Sequence, residues 1–139
     1  MKKMVATFLF SLIMTFAYAP TSPFLIIEDA EPIRPYEDLW RAVCYYESRN
    51  NPLAYNEAEG ATGIAQIRQC RVDHFNDLTG KSYSLSDCYD PEVSKEIFMT
   101  FALIHRDPEI IARRWNGSGS MTEKYWRNIV AILENDVYI

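Results

Sequence analysis

Glu47 is the side chain best placed for acid–base chemistry in this sequence, because it ends an apolar helical stripe. That stripe, spaced as one face of a predicted helix, contains Trp40, Val43 and Cys44. A carboxyl group there is partly desolvated and lies at the negative end of the helix dipole, and both effects raise its pKa. A carboxylic acid that keeps its proton near neutral pH can protonate the leaving oxygen of a glycosidic bond. From this helix alone, a glutamate exposed on the last turn, or paired with Arg41 or Arg49, is the better interpretation.

The residues that follow Glu47 change this balance, because five short blocks occur in a set order. They are Glu47-Ser48 with Asn51-Pro52 and Ala54, Gly60-Ala61-Thr62-Gly63 with Ile64-Ala65-Gln66-Ile67, Asp90-Pro91 with Ser94, Arg114-Trp115-Asn116-Gly117, and Tyr125-Trp126 with Ile129. The blocks resemble the soluble lytic transglycosylase family of the lysozyme-like superfamily, over about residues 38 to 133. The family pattern is E-S-x-x-N-P-x-A, then G-A-x-G with a hydrophobic-x-Q, D-P-x-x-N, A-Y-N-A/G and Y-V-x-x-V.

The resemblance implies a role for each matching side chain. Glu47 would be the single general acid and then the base, with Ser48 beside the scissile bond, steadying the sugar or the glutamate. Gln66 would line the cleft and hydrogen-bond the glycan, and Asn116 would hold the substrate backbone or an N-acetyl group from the opposite wall. Tyr125 would place its hydroxyl near Glu47. Structural interpretations stay open: Gln66 as a tie between loop carbonyls, Asn116 as part of a helix stop, and Tyr125 as core.

The chain departs from the family pattern near the expected site. Trp115 stands where the family usually has Tyr, so a hydroxyl role is lost while a ring face that can stack on a sugar remains. The loop from Tyr55 to Glu59 is one residue longer than the common form, and Ala65 replaces a frequent Met. Gly60 and Gly63 can adopt positive φ, which would let this loop fold close to the glutamate and the sugar.

The reaction that the resemblance implies is cleavage of peptidoglycan at the β-1,4 bond between N-acetylmuramic acid and N-acetylglucosamine. It would use one carboxyl group, form a 1,6-anhydro product, and need no metal or nucleotide cofactor. Ordinary glycosidases use two carboxylates, so a lysozyme-type hydrolase with Glu57 or Glu59 as the second one stays open. An inactive glycan-binding or assembly protein, and an exported helical structural domain without a cleft, are further alternatives.

Helical periodicity predicts the elements that carry the first site residues. The first helix covers about 36 to 48, and a loop continues from it to Gly63. A second helical stretch starts at Ile64, breaks near 68 to 70 and closes at Gly80.

The remaining helices are predicted from their N-terminal signals. Asp90-Pro91 and Asp107-Pro108 each place proline after an aspartate N-cap, and the second of these helices ends at Asn116-Gly117. A Ser120–Glu123 capping-box pattern precedes the last helix. Since no strand pairs are evident, the predicted fold class is mainly α, and the resemblance implies a single lysozyme-like domain of short helices around a substrate cleft.

The N-terminal residues are typical of an export signal. A basic start precedes an apolar run from Met4 to Ala17, which is short for a membrane span, and Ala17-Tyr18-Ala19 offers small residues to a signal peptidase. We therefore expect a signal peptide over 1–19, an extended proline-rich spacer over 20–35 and the domain over 36–139, exported to the periplasm or cell envelope. An uncleaved anchor is the alternative.

The net charge of the chain helps to indicate which kinds of partner it binds. With 19 acidic and 14 basic residues the formal net charge is −5, which argues against nucleic acid, because phosphate contacts need clustered Lys and Arg. The expected partner is the glycan strand of peptidoglycan. The small size and acidic balance further suggest positioning by an apparatus, such as one for secretion or conjugation.

The three cysteines allow one disulfide. Cys70 and Cys88 flank a loop-rich region and are the candidate pair, whereas Cys44 lies inside the first helix and is expected to be a buried thiol. A zinc site from Cys70, His74, Cys88 and His105 lacks the close paired spacings of such sites, so no metal site is predicted.

Overall fold

The computed structural model describes residues 36–137, and five α helices make up most of these residues, which confirms the predicted mainly α class. The elements are α1 (Glu37–Ser48), β1 (Tyr55–Asn56), β2 (Ala61–Thr62), α2 (Gln69–Thr79), a 3₁₀ helix (Leu85–Tyr89), α3 (Pro91–His105), α4 (Pro108–Asn116) and α5 (Met121–Glu134). The predicted signal peptide and spacer lie outside the described residues. No helix among residues 36–137 is both long and apolar enough to cross a membrane.

The turn after α1 fixes the position of Glu47. Arg49 (φ 57°) and Asn50 (φ 61°) both adopt the left-handed conformation and reverse the chain. Their amides donate to the carbonyls of Tyr45 (3.0 Å) and Cys44 (3.3 Å), which would otherwise be unpaired acceptors at the helix end. The helix therefore ends within one turn of Glu47, and that side chain lies at the negative end of the helix dipole.

The loop after α1 contains an antiparallel hairpin that the sequence analysis did not predict. Tyr55 pairs with Thr62 and Asn56 with Ala61. The backbone of Thr62 also exchanges two hydrogen bonds of 2.8 Å with Ile67. Strands of two residues are too short to show the alternation that marks a sheet face, so the sequence gives no periodic signal for them. The second bridge closes the intervening segment into a tight turn.

α2 begins later than the predicted helical stretch. Ile64 lies in the tight turn and Ile67 in the bridge, so the prediction of helix before Arg68 is wrong, whereas the break predicted near residues 68 to 70 coincides with the helix start at Gln69. Gly80, with φ 73°, closes α2 as predicted.

Gly63 is needed where the tight turn meets the 3₁₀ helix. Its φ is 80°, and a Cβ atom at this position would lie 2.0 Å from the carbonyl oxygen of Cys88. That carbonyl accepts a hydrogen bond of 2.7 Å from the buried Ser94 hydroxyl, so it is held in place. Only glycine combines this backbone conformation with so close an approach. Gly60 also has positive φ, at 59°, as predicted.

Both aspartate–proline helix starts are confirmed, but the last capping prediction is wrong. Asp90 accepts from the Glu92 amide and Asp107 from the Ile110 amide, each at 2.9 Å, with proline in the first turn. Ser120 does precede α5, but it has helical φ and ψ, and its side chain makes no hydrogen bond to the first turn of that helix. A capping side chain needs an extended backbone to reach those amides.

All five helices contribute to one buried core, whose largest fully buried apolar side chains are Phe75, Phe98, Ile67, Ile97, Ile111 and Ile129. Cys44 is buried in it, as predicted. The expected Cys70–Cys88 disulfide is not formed: both cysteines are free, because Cys88 is buried in the 3₁₀ helix while Cys70 is exposed on α2.

Candidate active site

A hydrogen bond between α1 and α5 defines the centre of the site. The Tyr125 hydroxyl donates to Oε1 of Glu47 at 2.8 Å, across a separation of 78 residues. Tyr125 is only 3% exposed, and its ring meets that of Tyr46 edge to face at 4.9 Å. Burial and the neighbouring Glu47 raise the pKa of Tyr125 well above its usual value, so the hydroxyl keeps its proton and acts as a donor.

The carboxyl group of Glu47 has an altered proton affinity. Burial raises its pKa from 4.5 to about 7, because desolvation disfavours the charged form. The Tyr125 hydrogen bond and the charge of Arg68 act in the opposite direction, and the charge of Glu59 adds to the rise. Near neutral pH the group is therefore close to half protonated.

The second carboxyl oxygen of Glu47, Oε2, is not fully buried. None of the hydrogen bonds among the described residues uses this atom, and no buried side-chain nitrogen or oxygen among them lacks a partner. Oε2 must therefore have accessible surface, although most of the side chain is covered. A general acid needs this combination, since one oxygen fixes the group and the other reaches the proton acceptor.

Ser48 is tied to the loop rather than to Glu47. Its hydroxyl donates to the Ile64 carbonyl at 2.7 Å and accepts from the Asn51 amide at 3.1 Å. Both contacts fasten the segment after α1 to the tight turn before α2. The resemblance implied a role beside the scissile bond; the observed contacts make Ser48 a support for the loop.

Gln66 has a strained backbone and a partly engaged side chain. Its φ of 51° is left-handed, which is uncommon for a residue other than glycine and often marks a functional loop. Nε2 donates to the carbonyls of Gly63 (3.0 Å) and Ala54 (3.3 Å), so the amide does tie loop carbonyls together. Within residues 36–137 its Oε1 has no partner and is not buried, which leaves it available as an acceptor.

Trp115 does not offer a ring face to a sugar, so the expectation for this residue is wrong. It is 5% exposed, its indole N–H donates to the Ala65 carbonyl at 3.1 Å, and its ring packs edge-on against Phe98. The guanidinium carbon of Arg71 lies 4.5 Å from the ring centre and covers one face. Trp115 is a core residue that holds α4 against the loop.

Asn116 ends α4 and is connected to the loop by Arg68. Nη2 of Arg68 donates to the Asn116 carbonyl at 2.9 Å. The side-chain amide of Asn116 makes no hydrogen bond to any described residue and is not fully buried. The structure thus brings the main chain of Asn116 to the loop and leaves its side chain free.

Arg68 is the main site residue that sequence reasoning missed. Its Nε lies 3.6 Å from Glu59 Oε2, and its charge acts on Glu47. A single arginine between Ile67 and Gln69 shows no periodic or motif signal, and its partner carbonyl is 48 residues away. Tyr46, packed on Tyr125 beside the glutamate, was missed as well.

The two candidates for a second carboxylate differ in their relation to Glu47. Glu59, on the hairpin, interacts electrostatically with Glu47 and contacts Arg68. Glu57 is exposed and is not among the charges that act on Glu47. The structure therefore relates only Glu59 to the acid–base residue.

The described residues also form a cavity away from Glu47. A surface cavity of about 300 Å³ lies at the α4–α5 junction and is lined by Glu109, Ile110, Arg113, Arg114, Gly117 and Thr122, without Glu47. Within residues 36–137, no three His, Cys, Asp or Glu side chains are grouped so that they could hold a metal ion.

Comparisons with known proteins add no relative. A scan against family models, a search of curated proteins and a search of solved structures each found no match to this chain.

Proposed function

We propose that this protein is a lytic transglycosylase of peptidoglycan in which Glu47 is the single general acid and base. The proposal depends on one observation: a largely buried carboxyl group with a pKa of about 7, fixed by Tyr125 through one oxygen and open at the other. Such a group can give and take a proton at neutral pH with similar ease, as a one-carboxyl cycle requires. The substrate class comes from the resemblance of the motif blocks.

In the proposed cycle, Glu47 Oε2 donates its proton to the oxygen that links C1 of N-acetylmuramic acid to C4 of N-acetylglucosamine, and the C1–O bond breaks. The muramyl acetamido oxygen stabilises C1. The Glu47 carboxylate then removes the proton of the muramyl 6-hydroxyl, whose oxygen bonds to C1 and closes the 1,6-anhydro ring. The glutamate ends protonated, as it began, and no water is consumed.

The other site residues have supporting roles in this proposal. Tyr125 orients the carboxyl group. Gln66 Oε1 accepts a hydrogen bond from a sugar hydroxyl or N–H, and the Asn116 amide contacts the N-acetyl or backbone groups from α4. Ser48 and Trp115 hold the loop and α4 in position and make no substrate contact.

Digestion of purified peptidoglycan tests the proposal, with the soluble products analysed by mass spectrometry. The wild type is expected to release muropeptides that are lighter than the hydrolytic products by one water molecule. Glu47→Gln removes the titrating group with almost no change of shape and is expected to release none. Glu57→Gln, which changes an exposed glutamate two residues before Glu59, is the matched control. Unchanged release by Glu47→Gln would remove Glu47 from the mechanism.

A lysozyme-type hydrolase is the second candidate, because Glu59 interacts with Glu47 and has an exposed carboxylate. In that mechanism Glu59 would activate a water molecule, so Glu59→Gln would abolish cleavage. Products with reducing ends that carry ¹⁸O from labelled water would favour the hydrolase, whereas anhydro ends without the label favour the transglycosylase. Binding of peptidoglycan in a pull-down without any released product would instead indicate a glycan-binding or assembly protein.

Export and an apparatus as partner belong to the same proposal. Glycan strands lie outside the cytoplasm, so residues 1–35 fused to a reporter that is active only after export should give activity. Deletion of residues 2–19 from that fusion is the control. Loss of local wall cleavage when a candidate secretion or conjugation apparatus is removed would support positioning by a partner.

A further inference from the structure

Arg68 joins three separate parts of the site. It is the last residue before α2, in an extended conformation, and its guanidinium reaches in two directions. Nη2 donates to the carbonyl of Asn116 at the end of α4 at 2.9 Å, while Nε faces Glu59 of the hairpin at 3.6 Å. The planar fork of a guanidinium allows two such contacts at once, which an ammonium group cannot reproduce.

Arg71, one turn further along α2, shows what a purely structural arginine looks like in this protein. Its Nη2 donates to the carbonyls of Arg114 (2.9 Å) and Trp115 (3.2 Å), and its guanidinium lies against the rings of Phe101 and Trp115. Burial lowers its pKa. Its charge is not among those that act on Glu47.

Arg68 differs from Arg71 in the exposure of its side chain and in the effect of its charge on Glu47. Its side chain is 42% exposed, so it contributes little to the core, and the α4 end already has two of its carbonyls bound by Arg71. Among the described residues it is the one cation whose charge acts on Glu47. We propose that Arg68 is a positioning residue: its guanidinium anchors the main chain of Asn116 and pairs with Glu59 of the hairpin, and these two contacts hold its positive charge where it acts on the Glu47 carboxylate.

This inference rests on the proposed function for its role in the cycle. Once Glu47 has given up its proton, a carboxylate remains in a desolvated position. The Tyr125 hydroxyl contacts it, the charges of Arg68 and Glu59 act on it, and its own charge acts on the Cys44 thiol one turn back on α1. Arg68 and Glu59 act on the carboxylate with opposite signs, so removal of one or the other charge is expected to shift the acid–base equilibrium of Glu47 in opposite directions.

The first test follows the titration of Glu47 in the full chain by ¹³C NMR of its carboxyl carbon, assigned by its loss in Glu47→Gln. Arg68→Gln removes the positive charge, so the midpoint is expected to move to higher pH. Glu59→Gln removes a negative charge, so it is expected to move to lower pH. Shifts in the same direction, or no shift in either variant, would overturn the inference.

Two controls separate charge from structure. Glu57→Gln removes a charge of the same sign from the same loop and is expected to leave the Glu47 midpoint in place. Arg71→Gln is expected to lower the thermal midpoint of unfolding without moving the Glu47 titration. If Arg71→Gln shifts the Glu47 titration midpoint as much as Arg68→Gln does, the shift comes from loss of stability and not from the charge of Arg68. That result would overturn the inference.

Kinetics complete the test on peptidoglycan. Arg68→Lys keeps the charge but loses the fork, so the Glu47 midpoint is expected to stay near that of the wild type while kcat/KM falls about tenfold to a hundredfold, as for a misplaced substrate group. Full activity in both Arg68→Lys and Arg68→Gln would overturn the inference. Because the titration needs no glycan, opposite midpoint shifts in a protein that cleaves nothing would refute the proposed function and leave the charge assignment intact.

Discussion

Replacing Glu47 by glutamine is expected to stabilise the folded protein at neutral and higher pH. The pKa of Glu47 is about 7 in the folded chain against 4.5 for an ordinary glutamate. Between these two values the unfolded chain has lost the proton while the folded chain still holds it, so the wild type loses stability as the pH rises. Above pH 7 the full cost of ionising a desolvated carboxyl group is present.

The size of this effect follows from the shift. At about 1.4 kcal/mol for each pH unit between the two pKa values, the folded wild type is destabilised by about 3 kcal/mol above pH 7. A neutral glutamine avoids that cost, and its side-chain oxygen still accepts the Tyr125 hydroxyl. Below pH 4.5 both chains are neutral at this position and are expected to have the same stability.

Urea unfolding followed by tryptophan fluorescence, repeated at intervals from pH 4 to pH 8.5, measures the difference. The free energy of unfolding of Glu47→Gln minus that of the wild type should rise from near zero to about 3 kcal/mol, with its midpoint between the two pKa values. Glu57→Gln is the control and should track the wild type. A difference that stays constant over this range would refute the claim that Glu47 is desolvated in the folded chain.

Three further substitutions test the surroundings of this glutamate. Tyr125→Phe removes a hydrogen bond that lowers the pKa of Glu47, so the NMR titration midpoint of Glu47 should move to higher pH and the free energy of unfolding should fall by about 1–3 kcal/mol. Gly63→Ala places a methyl group 2.0 Å from a main-chain oxygen of the 3₁₀ helix, so thermal unfolding should show a loss of more than about 4 kcal/mol in the free energy of unfolding. Gly60→Ala is the control: a Cβ atom there has nothing within 4 Å, and the loss should be about 1 kcal/mol. Trp115→Phe loses an indole hydrogen bond in the core and should lower the free energy of unfolding by about 1–3 kcal/mol, while peptidoglycan binding in a pull-down stays equal to that of the wild type. Weaker binding at unchanged stability would instead indicate that Trp115 contacts the sugar.

Features of the fold that depend on neighbouring residues were predictable from the sequence. Asp90 and Asp107 cap their helices because an aspartate side chain reaches amides two or three residues ahead. The end of α1 follows from the Asn50-Asn51-Pro52 sequence that comes after it, and the position of Glu47 on the apolar stripe of α1 follows from periodicity. The raised pKa of Glu47 could be anticipated for the same reason, since burial is its main cause.

Features that depend on distant contacts were not predictable. The orientation of Trp115 is set by a carbonyl 50 residues away, and nothing in its neighbours distinguishes a ring in the core from a ring at a cleft. The contacts of Arg68 likewise join segments 48 residues apart. The capping prediction at Ser120 was wrong for another reason. Residue types that fit a capping box do not determine the extended backbone conformation that the N-cap residue needs.

Arg68 and Arg71 connect the start of α2 to the end of α4, since they bind three successive carbonyls of α4 between them. These bonds form the α2–α4 connection. Glu59 of the hairpin contacts Arg68 through a more exposed ion pair. Dissolved salt weakens an exposed ion pair far more than a guanidinium–carbonyl bond packed on aromatic rings. Raising the ionic strength should therefore weaken the Glu59–Arg68 contact first, while the Thr62–Ile67 bridge still holds the hairpin and Arg71 still binds the end of α4.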